Sequence, residues 1–144
     1  MAIILNYTTS VSSQKTIGEI QQMLGANGAR SITVEYSDNN VVSGISFMLL
    51  LGDMKVHYRL PANWQAVQKV LVKRKADKRH RTDEHAINVC WRIIKDWIAA
   101  QMAIVQAEQA ALATVFLPYA VANNNRTLAD NFTQGLMNKQ LQIQ

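Results

Sequence analysis

The 144-residue chain has little cysteine and no long apolar run, and each shortage excludes a class of protein. Its one cysteine, Cys90, has no partner for an internal disulfide, so the chain is not a disulfide-stapled secreted domain. No apolar run reaches the ~18 residues that a transmembrane helix requires, and the N-terminus lacks the basic region of a signal peptide. No linker or repeat divides the sequence. We therefore predict one domain over 1–122, a tail over 123–144, no membrane association and a cytoplasmic location.

Motifs that carry known chemistry are missing as well. There is no glycine-rich phosphate loop, no Ser/His/Asp order and no convincing carboxylate pair. His57, His80 and His85 are scattered, without the spacing of metal ligands. Cys90 stands beside Trp91 on the apolar side of a predicted helix and is expected to be a small buried hydrophobe. The sequence thus predicts no catalytic residue, no metal, no cofactor and no enzymatic activity.

Apolar residues, by contrast, make up 49% of the chain and recur with clear periods, which predict an α+β fold. Ala2–Tyr7 is predicted to be a strand, and Thr16 the N-cap of a short helix, with Glu19 three residues on completing a capping box. Alternation in Ile32–Tyr36, Val41–Leu51 and Met54–Leu60 predicts an N-terminal antiparallel β-meander, with Gly44 a candidate bulge. Asn63 is predicted to cap a second short helix. Leu128, Phe132 and Leu136 recur every fourth residue and suggest a short tail helix.

A long C-terminal amphipathic helix is predicted over 83–117, capped by Thr82 and closed by Pro118. At ~1.5 Å per residue it would be roughly 50 Å long, more than a domain of this size can cover. Its alanine-rich second half would then pack against the tail or against another subunit. Of the two, packing against another subunit is preferred, which predicts a homo-oligomer. The interface residues it implies are Ala103, Ala107, Ala110, Leu112 and Phe116.

Basic residues outnumber acidic ones by 15 to 10, and about half of the basic residues fall between residues 69 and 81. Such clustering suits phosphates, because neutralising them releases counterions. A solvated linker and a site for an acidic protein are the alternatives. The predicted phosphate contacts in this run are Lys69, Lys73, Arg74, Lys75, Lys78, Arg79 and Arg81.

Two further groups of cations could extend this basic surface. Lys55 and Arg59 share one face of the third meander strand, because side chains alternate along a strand. Cations on an edge strand also serve simply to discourage aggregation. Arg92 and Lys95 are predicted to project outward from the long helix, where Arg92 could alternatively pair with Asp96 four residues on.

Five short motifs of the chain together carry a resemblance to other sequences. They are Asn6-Tyr7-Thr8-Thr9, Lys15-Thr16-Ile17-Gly18-Glu19-Ile20, Arg59-Leu60-Pro61-Ala62-Asn63, Trp91-Arg92-Ile93-Ile94-Lys95-Asp96-Trp97 and Val115-Phe116-Leu117-Pro118-Tyr119. Together they resemble a group of small uncharacterised proteins of bacteriophages and mobile genetic elements, over most of the chain to about Tyr119. The resemblance implies that the protein is encoded by a phage or a mobile element, so the predicted cytoplasmic location would be the cytoplasm of a host cell. It implies no catalytic residue.

Three functional hypotheses follow. The first is a non-enzymatic phage or mobile-element accessory protein that binds nucleic acid, or another polyanion, through the basic run. The second is an anti-defence protein that binds a host defence protein such as a CRISPR complex, or sequesters a signalling nucleotide. A duplex mimic would need an acidic surface, which this basic chain lacks. The third is a structural subunit of an oligomeric assembly. The sequence does not choose between DNA, RNA and protein as the partner.

Overall fold

A computed structural model describes residues 3–107 and 111–137, together with the fold that they form. The fold is α+β, as predicted: a three-stranded sheet followed by helices. In chain order the elements are α1 (Ser13–Ala26), β1 (Arg30–Tyr36), β2 (Val42–Leu51), β3 (Met54–Pro61), α2 (Trp64–Lys73), a 3₁₀ turn (Lys78–His80), α3 (Asp83–Gln106), α4 (Leu112–Val115), a second 3₁₀ turn (Leu117–Tyr119) and α5 (Leu128–Met137).

The three strands form the predicted antiparallel meander, in the order β1-β2-β3. Val34 pairs with Ile45, and Ile45 pairs with Leu60. The β1–β2 register shifts beside Gly44, so the predicted bulge is confirmed. A Cβ at Gly44 would lie 2.9 Å from the backbone oxygen of Leu60, which explains why a glycine occupies this position.

One face of the sheet is buried against α1 and α3, since side chains of all three share a single core. Ile20, Trp91 and Ile98 are fully buried there. Phe47 of β2 stacks on Tyr58 of β3 with ring centroids 5.3 Å apart. Alternation along each strand places polar side chains such as Lys55, His57 and Arg59 on the opposite face, where Met48 and Leu50 of β2 lie across from them.

A second, smaller core joins the N-terminal segment to α2 and the start of α3. Leu71, Ala76 and Ala86 are buried in it, and Ile3, Ile4 and Tyr7 pack against them. These contacts correct the prediction that Ala2–Tyr7 is a strand. Residues 3–8 form bends and turns, because their apolar side chains bury against the helices instead of pairing in the sheet.

The predicted caps hold for two helices and fail for the third. Asn63 accepts from the Ala66 N–H at 3.2 Å, and Thr82 accepts from the His85 N–H at 3.1 Å. For α1 the cap is Ser12, which accepts from the Lys15 N–H at 3.2 Å. Thr16 was predicted to be this cap, but it lies inside α1, fully buried. The predicted start was wrong because α1 begins at Ser13.

The long helix is shorter than predicted. α3 spans 24 residues and ends at Gln106, where Ala107 caps it through its N–H to the Ala103 oxygen, so its length is about 36 Å. The prediction of a continuous helix over 83–117 was wrong. The chain instead returns through α4 and places Phe116, fully buried, against Phe47 at a centroid distance of 5.1 Å. A straight helix would have left that aromatic ring in water.

The segment after the second 3₁₀ turn covers the edge of β3. Ala120 forms an isolated antiparallel β-bridge with Tyr58, and the Val121 N–H donates to the His57 backbone oxygen at 2.7 Å. α5 then follows, so the tail helix is confirmed. No helix in the ranges 3–107 and 111–137 is long and apolar enough to span a membrane.

Candidate nucleic-acid interface

The cations of the predicted run lie on a connection between two helices, which we call the basic segment (residues 69–81). It comprises the end of α2, a turn and the first 3₁₀ turn. Arg81 is half-buried, and its Nε is buried without a hydrogen-bond partner in the described part of the chain. The other six cations are exposed. They are Lys69, Lys73, Arg74, Lys75, Lys78 and Arg79.

The basic segment has a defined conformation because its end of α2 is closed by a Schellman turn. The Ala76 N–H donates to the Leu71 oxygen at 3.0 Å, and the Lys75 N–H donates to the Val72 oxygen at 3.1 Å. Leu71 and Ala76 are both buried, so an apolar contact secures the turn. Lys75 takes the left-handed position, with φ 57°, where glycine is the usual residue. The lysine is therefore held at a conformational cost.

Gln68 ties the two ends of the basic segment together. Its Nε2 donates to the Arg81 oxygen at 3.0 Å and to the Asp83 carboxylate at 2.6 Å. α2 is thereby fixed to the start of α3. The exposed cations are carried on an ordered scaffold, so less conformational entropy would be lost on binding an anion than with a flexible linker.

Few of these charges are neutralised within the protein. Asp77 lies 3.7 Å from the guanidinium of Arg79, and the two side chains are 73% and 77% exposed. Such an exposed pair is weak in water. No other cation of the basic segment pairs with a carboxylate anywhere in residues 3–107 and 111–137. The segment thus presents a local excess of positive charge to solvent.

Arg92 and Lys95 do not extend this surface. Both point from α3 to Glu19 of α1, with Arg92 Nη1 3.3 Å and Lys95 Nζ 3.7 Å from its carboxylate oxygens. The expected outward projection was wrong, because the opposite charge on α1 draws both cations into the interface between the helices. The alternative pairing of Arg92 with Asp96 is not formed either. Asp96 accepts from the Asn6 side chain at 2.7 Å.

Lys55 and Arg59 share the solvent face of β3, as the alternation predicted, but their side chains have different surroundings. Lys55 is exposed. Arg59 donates to the backbone and side-chain oxygens of Asn125 at 3.3 and 3.2 Å, and its Nε lies 3.8 Å from Glu35. Glu35 also accepts from the Ser46 hydroxyl. Arg59 therefore fastens the 120–125 segment to the sheet.

The sequence-predicted oligomer residues fare differently from one another. Ala103 and Ala107 are exposed, and Leu112 is half-buried against the core. Phe116 is fully buried, so assigning it to an intermolecular contact was wrong. Ala110 lies outside the described residues.

The remaining candidates for chemistry are limited. Cys90 is buried as predicted, and burial raises the pKa of its thiol to about 11, so it is not a nucleophile near neutrality. Within the described ranges, no group of three or more His, Cys, Asp and Glu side chains could hold a metal ion.

Sequence reasoning missed one cluster, because it treated the histidines as scattered. His80 and His85 stack with ring centroids 4.7 Å apart, beside Tyr7. The spacing His80-x-x-x-x-His85 across a helix start was the available signal.

Comparisons with known proteins add no assignment: no family model matches the chain, and no curated protein or solved structure is significantly similar to it.

Proposed function

We propose that the protein binds nucleic acid through its phosphates, using the basic segment, and that it does so without catalysis. The observation that carries this proposal is the set of six exposed cations on an ordered scaffold, with Asp77 their one acidic partner within the described residues. Phosphate contacts of this kind give salt-sensitive affinity with little sequence preference. The setting in a phage or mobile element, within a host cell, belongs to the same proposal.

The test compares two variants with the same change in charge. Lys73→Gln with Lys78→Gln removes two exposed cations of the basic segment. Arg92→Gln with Lys95→Gln removes the two cations that pair with Glu19. Affinity for a labelled oligonucleotide, single- and double-stranded, is measured at about 50 mM and about 200 mM salt.

We expect the first variant to weaken binding at least ~10-fold at the lower salt and to flatten the salt dependence, since two phosphate contacts are lost. The matched variant should bind almost as the parent does. Equal losses in both would show that only net charge matters. Absence of binding by the parent protein at the lower salt would overturn the proposal.

The same exposed cations would also suit an acidic surface on a host defence protein. Co-purification separates the two readings. A nucleic acid in the purified protein, removed by high salt, supports the proposal, whereas a stoichiometric acidic protein with no nucleic acid argues against it.

Self-association is a separate part of the proposal. It is supported by exposed apolar side chains that follow α3: Leu117 is 52% exposed and Phe132 is 57% exposed. The exposed alanines Ala103 of α3 and Ala107, which caps this helix, would allow another helix to approach closely. Water-exposed apolar groups of this kind favour burial against a second copy.

A further inference from the structure

A small cleft lies at the end of the basic segment, between the N-terminal segment and the start of α3. Its volume is about 380 Å³, and it is lined by Thr8, Thr9, Ser10, Arg79, His80 and His85. Every one of these side chains can donate a hydrogen bond, and none is a carboxylate. Hydroxyls, a guanidinium and imidazoles are the groups that proteins use to hold a phosphate.

The hydrogen bonds around the cleft define which protons are available. His85 Nε2 lies 2.5 Å from the Tyr7 backbone oxygen, and a carbonyl can only accept, so Nε2 carries a proton. The second ring nitrogen of His85 then becomes a donor when the ring is protonated. The Thr9 hydroxyl oxygen accepts from the Val11 N–H at 3.1 Å, which leaves its own proton to donate elsewhere.

The charges in the cleft repel one another. The pKa of His80 is lowered, mainly by partial burial and then by His85 and Arg79, while Asp77 opposes the shift. The rings of Tyr7 and His80 meet edge to face, with their centroids 5.9 Å apart. A bound anion would relieve the repulsion between the two imidazoles and the guanidinium, so binding should be coupled to proton uptake by His80.

We propose that this cleft binds a phosphomonoester, the terminal phosphate of a nucleic acid whose backbone follows the basic segment. This inference rests on the proposed function, because Arg79 belongs both to the cleft and to the basic segment. A terminal phosphate carries more negative charge than an internal phosphodiester, and its oxygens suit the several donors that converge here.

Two measurements test it. The first compares the affinities for one oligonucleotide with a 5′-phosphate and with a 5′-hydroxyl. The second titrates inorganic phosphate while NMR follows the ring protons of the histidines. Both are made between about pH 5 and pH 8, where imidazole changes charge.

We expect the 5′-phosphate to improve affinity about tenfold near pH 6, since hydrogen bonds to charged groups are the strong ones. The advantage should shrink as the pH rises and His80 loses its proton. It should also fall below about pH 6, because the phosphate then regains its second proton. Inorganic phosphate should shift the ring resonances of His80 and His85 and leave those of His57 unchanged.

His80→Gln should abolish the advantage of the 5′-phosphate, and His57→Gln, the same change on the solvent face of the sheet, should preserve it. If His80→Gln disturbs folding, Ser10→Ala offers a milder change at an exposed cleft position and should reduce the advantage severalfold.

The failures of the two proposals are distinguishable. Tight binding with no preference for the 5′-phosphate and no phosphate-induced shifts would overturn the cleft alone. Phosphate-induced shifts at His80 and His85 without any nucleic-acid binding would overturn the proposed function while upholding the cleft as a phosphate site.

Discussion

Lys75 occupies a backbone conformation that glycine adopts at lower cost. Its φ of 57° lies at the left-handed position of the turn that ends α2. For a residue with a Cβ this region costs about 1–2 kcal/mol, and part of that cost is offset by the entropy that glycine loses on folding. A lysine here places a charge at the apex of the basic segment at some expense in stability, which accords with a functional role for the charge.

We therefore predict that Lys75→Gly raises the free energy of unfolding by about 0.5–1 kcal/mol while weakening nucleic-acid binding. Lys75→Ala is the matched control, because it removes the same charge and keeps the strained backbone. It should bind as weakly as Lys75→Gly but show no gain in stability. Urea denaturation and oligonucleotide titration measure the two effects, and a less stable Lys75→Gly would contradict the account.

The sequence could not show this turn, since the usual glycine is absent from it. With lysine at 75 and alanine at 76, nothing in the basic run over residues 69–81 predicts an ordered turn. The buried Ala76 is what orders the connection, and a single alanine in a basic run carries no recognisable pattern.

At the scale of elements, local patterns predicted what local interactions decide. The caps at Asn63 and Thr82 and the strand alternation were correct, because each depends on residues within a few positions of one another. Thr16 with Glu19 matched a capping box, yet Glu19 pairs with Arg92, 73 residues along the chain. The motif failed because α1 begins one turn earlier, at Ser13, which places Thr16 and Glu19 inside the helix.

Glu19 of α1 provides the charged contact between α1 and α3. Its side chain is 32% exposed and faces both Arg92 and Lys95. We predict that Glu19→Gln lowers the free energy of unfolding by about 1 kcal/mol, discounted for its partial exposure to solvent, and that high salt shrinks the effect. Glu84→Gln, an exposed acid without an ion pair in the described structure, should change it by less than about 0.5 kcal/mol. Chemical denaturation at low and high salt measures both, and equal effects would refute a specific clamp.

At the scale of the whole molecule, the predicted basic surface divides into three parts with different surroundings. The six exposed cations of the basic segment face solvent, with Asp77 their one acidic partner within the described residues. Arg92 and Lys95 are engaged by Glu19, and Arg59 holds the 120–125 segment. Composition and clustering locate the cations along the sequence, but they do not predict which side chains pair with them. Which cations remain available depends on the packing of α1 against α3 and of the chain end against β3, and neither is encoded locally.

Self-association is the prediction that depends on the molecule as a whole. A helix too long for its domain would have required a partner, but α3 ends at Gln106. Exposed apolar groups remain in its place. Phe132 of α5 is 57% exposed, and burying the remainder of such a ring against a second copy would contribute about 1–2 kcal/mol.

Light scattering after size exclusion should therefore give a mass well above the 16.2 kDa of one chain. Phe132→Ser should shift the protein toward the monomer, because it removes the apolar contact from an exposed position without opening a cavity in the core. Ala103→Glu on α3 tests the alanine-rich face separately. Dissociation by Ala103→Glu alone would place the contact where the sequence predicted it, and dissociation by Phe132→Ser alone would place it on α5. A parent protein that elutes as a 16.2 kDa monomer at high concentration would contradict self-association altogether, because the exposed ring would then have no partner in solution.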